Sequence, residues 1–154
     1  MTGVGVTLES PHPSGLAEMI AGLLEQQLAR EPAREALLRP SIVQLSVPDA
    51  AVTVTVRLAP DGVRVADGVA PDAHLRIDAP AERLLALAAV PLRAGMPDPL
   101  HPDGRAAIAD LMTRRVRVDG LLRHPRRLVR FTSLLSAREQ ARRRRLPWVA
   151  TRRR

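Results

Sequence analysis

The sequence predicts an α+β domain in which helices cover a mainly antiparallel, five-stranded sheet. Four strand patterns follow one another between residues 42 and 78 with only short turns between them, and a fifth lies at residues 115–119. Helical patterns precede, interrupt and follow this series. Consecutive strands joined by short turns pair as antiparallel neighbours, and the helices bury their apolar faces against the sheet that results.

Three segments are expected along the 154 residues. Residues 1–13 contain Gly, Pro, Ser and Thr without a sustained period and are predicted to form a flexible leader. Residues 14–137 form the domain, and residues 138–154 form a low-complexity, Arg-rich tail. Because Phe131 and Trp148 are the only Phe, Tyr or Trp residues, the single core must be built from Leu, Val, Ile and Ala.

The first helix is predicted to begin at Ser14, a favourable N-cap residue, and to end at Pro32, which opens a short turn through Leu38. Its apolar side chains recur at the i, i+3, i+4 spacing of an amphipathic helix. They are Leu16, Met19, Ile20, Leu23, Leu24 and Leu28.

The strand predictions rest on alternation and on turn residues. The first strand is residues 42–47, and in the second, residues 52–58, apolar residues alternate with Thr and Arg as in a half-buried strand. A Pro-Asp-Gly turn at residues 60–62 precedes the third strand at residues 63–65, and the fourth is residues 74–78.

The remaining elements are mostly helical. One helix is predicted from Pro80 and another over residues 102–113, and the Pro-rich residues 90–102 between them lack a helical period and are expected to form a loop. The last helix follows the fifth strand and Gly120. Its apolar stripe consists of Leu128, Phe131, Leu134 and Leu135.

Positive charge is concentrated at the C-terminal end. The net charge is +8, but residues 1–113 carry 9 Arg against 14 acidic residues, whereas residues 114–154 carry 15 Arg against 2. Three interpretations of the tail stay open: a solvated extension, contact with an anionic membrane surface, and non-specific nucleic-acid binding. The candidate contact residues in the tail are Arg142, Arg143, Arg144, Arg145 and Trp148.

The sequence contains no sign of catalytic chemistry. The absence of Cys excludes disulfides and thiolate sites, and neither a nucleophile elbow nor a phosphate-binding glycine loop occurs. We therefore predict no catalytic residue, no metal and no cofactor. No secretory signal or membrane-spanning stretch is apparent, so a cytoplasmic location is expected. Four isolated histidines are interpreted as surface residues: His12, His74, His101 and His124.

Three segments of the second half resemble the sterol carrier protein 2 (SCP2) family, small proteins that hold a lipid or another apolar molecule. Residues 71–87 contain a short strand and a helix, residues 109–121 contain the strand V-R-V-D-G, and residues 124–135 form a helix that closes on two leucines. The resemblance extends over residues 16–136 and rests on the order of these weak motifs. It implies an apolar tunnel between the sheet and the later helices, with the last helix as a lid.

The resemblance also implies a function, which is to bind and carry a lipid or other apolar molecule without enzymatic activity. Ten residues of this chain would then line the tunnel: Ile77, Leu84, Leu85, Ala88, Leu111, Met112, Val118, Leu128, Phe131 and Leu135. Aliphatic residues stand where the family has aromatic ones, and residues 90–102 look like an insertion, so the ligand itself is not predicted. One alternative is an interaction protein whose Arg-rich C-terminus binds nucleic acid or another anionic partner. Another is an accessory subunit whose groove receives a partner's helix or lipid-bearing group.

Overall fold

The computed structural model describes residues 4–93 and 96–136, apart from the side chains of residues 87 and 88. The strands are β1 (Gly5–Leu8), β2 (Ser41–Val47), β3 (Val52–Ala59), β4 (Gly62–Asp67), β5 (Leu75–Asp78), β6 (Leu92–Arg93), β7 (Met96–Pro97) and β8 (Arg117–Asp119). The helices are α1 (Gly15–Arg30), α2 (Ala81–Ala89), α3 (Pro102–Met112) and α4 (Pro125–Leu135). A 3-10 helix, Pro32–Leu37, follows α1. None of the helices in the described part has the length and hydrophobicity that a membrane span requires.

The main sheet has six strands in the order β1-β4-β3-β2-β5-β8, and β6 and β7 form a separate hairpin. The α+β class is confirmed, but the prediction of a mainly antiparallel, five-stranded sheet is wrong. Two of the five pairings, β1 with β4 and β2 with β5, are parallel. The reason is that the chain crosses back after β4 and places β5 beside β2, where the His74 amide donates to the carbonyl of Ile42 over 2.9 Å.

The sixth strand, β1, lies within the segment that the sequence predicts to be a flexible leader. It pairs in parallel with β4, with Gly5 opposite Gly62. A connection to the start of α1 holds it there: the Ser10 hydroxyl accepts the Asp67 amide over 2.7 Å, and the Ser14 amide donates to the Asp67 carboxylate over 2.9 Å. The hydrogen bonds from Ser14 keep the pKa of Asp67 below its ordinary value. Val6 and Leu8 alternate with Gly5 and Thr7, but a run of four residues is too short to give a clear strand signal. This strand forms by pairing with β4.

The sheet buries one face. Val43, Val56 and Val65 lie opposite one another on β2, β3 and β4, and Leu75 continues the same row on β5. All four are fully buried, since α1 and α4 pack over this face. The intervening residues of these strands, which include Arg57 and other polar side chains, face the opposite side, as is usual for a sheet covered on one side.

The C-terminal end of α4 is held by a buried arginine of the 3-10 helix. Arg34, only 4% exposed, donates from Nη1 to the carbonyls of Ser133 over 2.7 Å and Leu134 over 3.1 Å. Its Nε also donates to the Glu31 carboxylate over 2.7 Å. Because the last carbonyls of a helix have no partner inside the helix, this guanidinium both neutralises them and fixes α4 against α1.

Candidate functional site

An apolar cavity of about 100 Å³ lies between the covered face of the sheet and the surrounding helices. Its side chains are hydrophobic with the exception of Thr132, whose hydroxyl donates to backbone carbonyls of its own helix. The lining residues are Met19, Ile20, Leu23, Leu45, Ile77, Leu84, Val90, Leu92, Met96, Pro97, Leu111, Val116, Val118, Leu121, Leu128, Phe131, Thr132 and Leu135.

The sheet forms the floor of the cavity. Leu45 on β2 lies opposite Ile77 on β5, and Ile77 in turn lies opposite Val118 on β8. These three side chains therefore make one continuous row across three strands. Successive side chains of a strand alternate between its faces, so the register places all three on the same face of the sheet. This face borders the cavity.

Helices form most of the roof. Met19, Ile20 and Leu23 face the cavity from α1 at the spacing of one helix face. From α4 come Leu128, Phe131, Thr132 and Leu135, which repeat at three- and four-residue intervals. The apolar stripe of α4 thus both covers the cavity and packs against the sheet.

The β6–β7 hairpin and the helices beside it close the remaining side. Arg83 of α2 and Asp110 of α3 form an ion pair of 3.1 Å, which joins these two helices. Gly104 of α3 lies against the Asp98 backbone after the hairpin so closely that a Cβ atom would stand 1.9 Å from the Asp98 carbonyl oxygen. Met96 lines the cavity and is nevertheless 46% exposed. The cavity wall therefore reaches the protein surface at the hairpin.

This arrangement of a mixed sheet under helices has a counterpart among solved structures. A structure described as "UbiJ-SCP2 Ubiquinone synthesis protein" superposes with a TM-score of 0.56 over 78% of this chain and 92% of that chain, at 19% sequence identity. The fold is SCP2-like. A possible sterol carrier protein from Thermus thermophilus aligns over 86% of this chain and 93% of that chain with 10% identity and a TM-score of 0.40. No family model and no curated protein matches the chain.

The cavity of this SCP2-like fold includes seven of the ten residues predicted to line a tunnel. They are Ile77, Leu84, Leu111, Val118, Leu128, Phe131 and Leu135. Leu85 and Met112 are not among the lining residues, and they are 51% and 81% exposed. Each directly follows a lining leucine, and successive side chains of a helix diverge by about 100°. The Ala88 side chain and the tail residues Arg142–Arg145 and Trp148 lie outside the described residues. Contact of any of these residues with a ligand stays a prediction.

The segment interpreted as a looping insertion, residues 90–102, contributes to the cavity, although no residue of it was predicted to do so. Four of its residues line the cavity: Val90, Leu92, Met96 and Pro97. The segment also forms the β6–β7 hairpin, with Leu92 opposite Pro97. Apolar residues interspersed among the prolines were the available signal, but a two-residue strand has no detectable period.

Two of the histidines interpreted as isolated form a pair. The rings of His74 and His124 meet edge to face with their centroids 5.6 Å apart, and His74 Nδ1 accepts the Ile42 amide over 3.0 Å. Partial burial, followed by the positive charges of Arg127 and His124, lowers the pKa of His74. The pair lies where β5 meets the start of α4, so it connects the sheet to the helix that covers the cavity. In the described part no cluster of three His, Cys, Asp or Glu could hold a metal.

The lowered pKa of His74 predicts a pH-dependent loss of stability. As the pH falls, the unfolded chain binds this proton near pH 6.5, before the folded protein does. The free energy of unfolding therefore keeps its full value above pH 6.5 and declines below it. His74→Asn keeps an acceptor for the Ile42 amide and cannot titrate, so it is expected to remove this part of the decline. Urea unfolding between pH 5 and 8 measures the effect. His12→Asn, at an exposed position, is the control, and an unchanged pH slope in His74→Asn would contradict the prediction.

Proposed function

We propose that this protein binds a lipid or similarly apolar small molecule in its cavity and carries it without making or breaking a bond. The observation that supports the proposal most directly is the hydrophobic cavity between the sheet and α4 of an SCP2-like fold. The similar solved structure is that of a ubiquinone synthesis protein, and ubiquinone is itself an apolar molecule. Each CH₂ group that leaves water for such a wall gains about 0.8 kcal/mol.

The size of the cavity limits what the closed protein accommodates. Its volume of about 100 Å³ is below that of a cavity of about 150 Å³ that holds benzene, and ligand pockets commonly reach several hundred Å³. A lipid therefore requires part of the roof to move. The hairpin side is the place for such a movement, since the lining residue Met96 is exposed there.

The composition of the wall supports binding in preference to catalysis. Among the side chains that line the cavity, none is titratable, and the one hydroxyl belongs to Thr132. Such a surface offers neither a general acid nor a base to a reacting bond. We propose a non-enzymatic carrier on this basis, with the tail residues Arg142–Arg145 and Trp148 as additional candidates for membrane contact. Its cytoplasmic location stays a prediction. The nucleic-acid alternative has no observation in its favour.

A matched pair of variants tests whether the cavity is the ligand site. Val118→Trp places an indole in the cavity floor, and we expect it to weaken binding of a fluorescent fatty acyl or isoprenoid probe by at least about tenfold through the loss of two or more buried CH₂ contacts. Val6→Trp alters an equally half-buried valine on the opposite edge strand and should bind the probe as the original protein does. Equal affinities of the two variants would show that the ligand binds elsewhere.

Native mass spectrometry of the freshly purified protein, followed by organic extraction, identifies a natural ligand. A recurrent mass increase from one apolar compound is the expected result. A ligand-free mass, combined with failure of a panel of fluorescent lipids to bind, would overturn the carrier proposal.

A further inference from the structure

The described part of the protein has a strong asymmetry of charge. Residues 1–113 have a net charge of −5, from 9 Arg and 14 acidic residues. Residues 114–130 contain seven Arg and a single acidic residue, Asp119. Within the described residues, none of the seven forms an ion pair with a carboxylate, although Arg34, Arg57, Arg64 and Arg83 each do so. The seven are Arg114, Arg115, Arg117, Arg123, Arg126, Arg127 and Arg130.

The basic residues at the start of α4 oppose the helix dipole. Arg126 and Arg127 lie in the first turn of α4, which contains no acidic residue. A cation at this end of a helix is unfavourable, because the unpaired amide groups carry partial positive charge. Arg127 donates from Nη1 to the Pro40 carbonyl over 3.3 Å, but the Arg126 side chain has no hydrogen-bond or ion-pair partner within the described residues. A negatively charged partner would make the position of Arg126 favourable.

The turn between β8 and α4 adds an apolar tip to these charges. Leu121 lines the cavity, whereas Leu122 is 96% exposed and is followed directly by Arg123. An exposed leucine followed by arginines at positions 123 and 126 suits the boundary of a bilayer, where the aliphatic side chain enters the acyl layer and the guanidinium groups stay at the head groups. Single-stranded nucleic acid would favour exposed rings for stacking, but Phe131, the one Phe, Tyr or Trp in the described part, is buried. Duplex nucleic acid would contact the arginines through its phosphates but would offer no apolar layer to Leu122.

We propose that this basic turn, residues 120–127, docks the protein on a bilayer with anionic head groups. Leu122 enters the apolar layer, and Arg123 and Arg126 contact the lipid phosphates. Because Leu121 lies in the cavity wall, the docked surface is one residue away from the cavity, and an apolar molecule would have a short path between the two. The docking itself does not require the cavity to hold a ligand, so it goes beyond the proposed function.

Binding of the full chain to vesicles tests the proposal. We expect association with vesicles of phosphatidylcholine and phosphatidylglycerol, and not with phosphatidylcholine alone. The double variant Arg123→Gln/Arg126→Gln should bind the mixed vesicles about 30-fold more weakly, at roughly fivefold per arginine. Leu122→Ser should weaken binding about tenfold, since it removes the inserted aliphatic group. The altered side chains are exposed, so the variants should retain the unfolding curve of the original protein.

Two controls distinguish the basic turn from net charge and from the tail. Arg30→Gln/Arg105→Gln removes the same charge from exposed positions on α1 and α3 and should change the affinity by less than about twofold. A variant with Arg142–Arg145 changed to Gln measures how much of the vesicle affinity comes from the tail. The proposal is overturned if the original protein does not bind anionic vesicles, if the turn variant behaves like the Arg30/Arg105 control, or if duplex DNA at physiological salt displaces the vesicles. Failure of lipid probes to enter the cavity would leave the vesicle result unaffected.

Discussion

Gly120→Ala is expected to lower the free energy of unfolding by about 3 kcal/mol or more. Gly120 follows β8 with φ +90°, a conformation that side chains with a Cβ rarely adopt. A Cβ atom there would also stand 2.2 Å from the carbonyl oxygen of His74, which belongs to the backbone and cannot turn aside. Relief of this overlap must move β8 away from β5, so the loss combines backbone strain with weakened pairing at the edge of the sheet.

Substitutions at two other glycines separate the effect of backbone strain from that of the overlap with the His74 carbonyl. Gly68 has φ +113°, but no atom lies within 4 Å of the position that an added Cβ would take. Gly68→Ala should therefore lower the free energy of unfolding only by the cost of backbone strain. Gly22 lies in α1 with open space around it, and Gly22→Ala should raise the stability by as much as about 1 kcal/mol. Urea unfolding of the three variants, followed by circular dichroism, measures these differences. A loss in Gly120→Ala no greater than in Gly68→Ala would contradict the close approach of His74.

The second large effect is expected for Arg34→Met, at about 3 kcal/mol of lost stability. The substitution keeps an unbranched side chain of similar length but removes the buried guanidinium. The carbonyls of Ser133 and Leu134 then lose their donor in a place that water reaches poorly, and the cost of an unpaired buried group exceeds the gain that the hydrogen bond itself supplies. Because Phe131 and Leu135 belong to the same helix, a loosened α4 should also alter the cavity.

An exposed arginine provides the matched control for Arg34→Met. Arg64 is paired with Glu9 at 3.9 Å on the surface, and Arg64→Met should change the free energy of unfolding by less than about 1 kcal/mol. Urea unfolding measures stability, and binding of a fluorescent apolar probe reports on the cavity beneath α4. Equal losses of stability in the two variants would show that the buried contact of Arg34 with α4 is unimportant.

Most individual elements could be predicted because their signals are local. The stripe of α1, the alternation in β3 and the Pro-Asp-Gly turn before β4 each lie within a few consecutive residues, and the structure has all three. The last helix is predictable from its apolar stripe and occupies Pro125–Leu135. Errors were confined to segments such as β1 and the β6–β7 hairpin, whose strands are too short to show a period and are defined by their partners.

The site was predictable to a lesser extent, because a cavity requires residues from distant segments. Hydrophobic periodicity identified Leu84 and Leu111 as inward-facing, but it did not separate them from the adjacent Leu85 and Met112, which are exposed. The contact of His74 with His124 requires the start of α4 to lie beside the start of β5, for which no single segment contains a signal.

Composition and periodicity are properties of neighbouring residues, so the α+β class, the main helices and strands, and the concentration of arginine in the C-terminal part can all be predicted from the sequence. The parallel pairings of β1 with β4 and of β2 with β5, the row formed by Leu45, Ile77 and Val118, and the cavity above this row depend on contacts between distant segments. A hydrophobic pattern indicates which side chains avoid water. Whether those side chains fill the space between them or leave a cavity depends on how the elements pack, and this is settled only when the whole chain has folded.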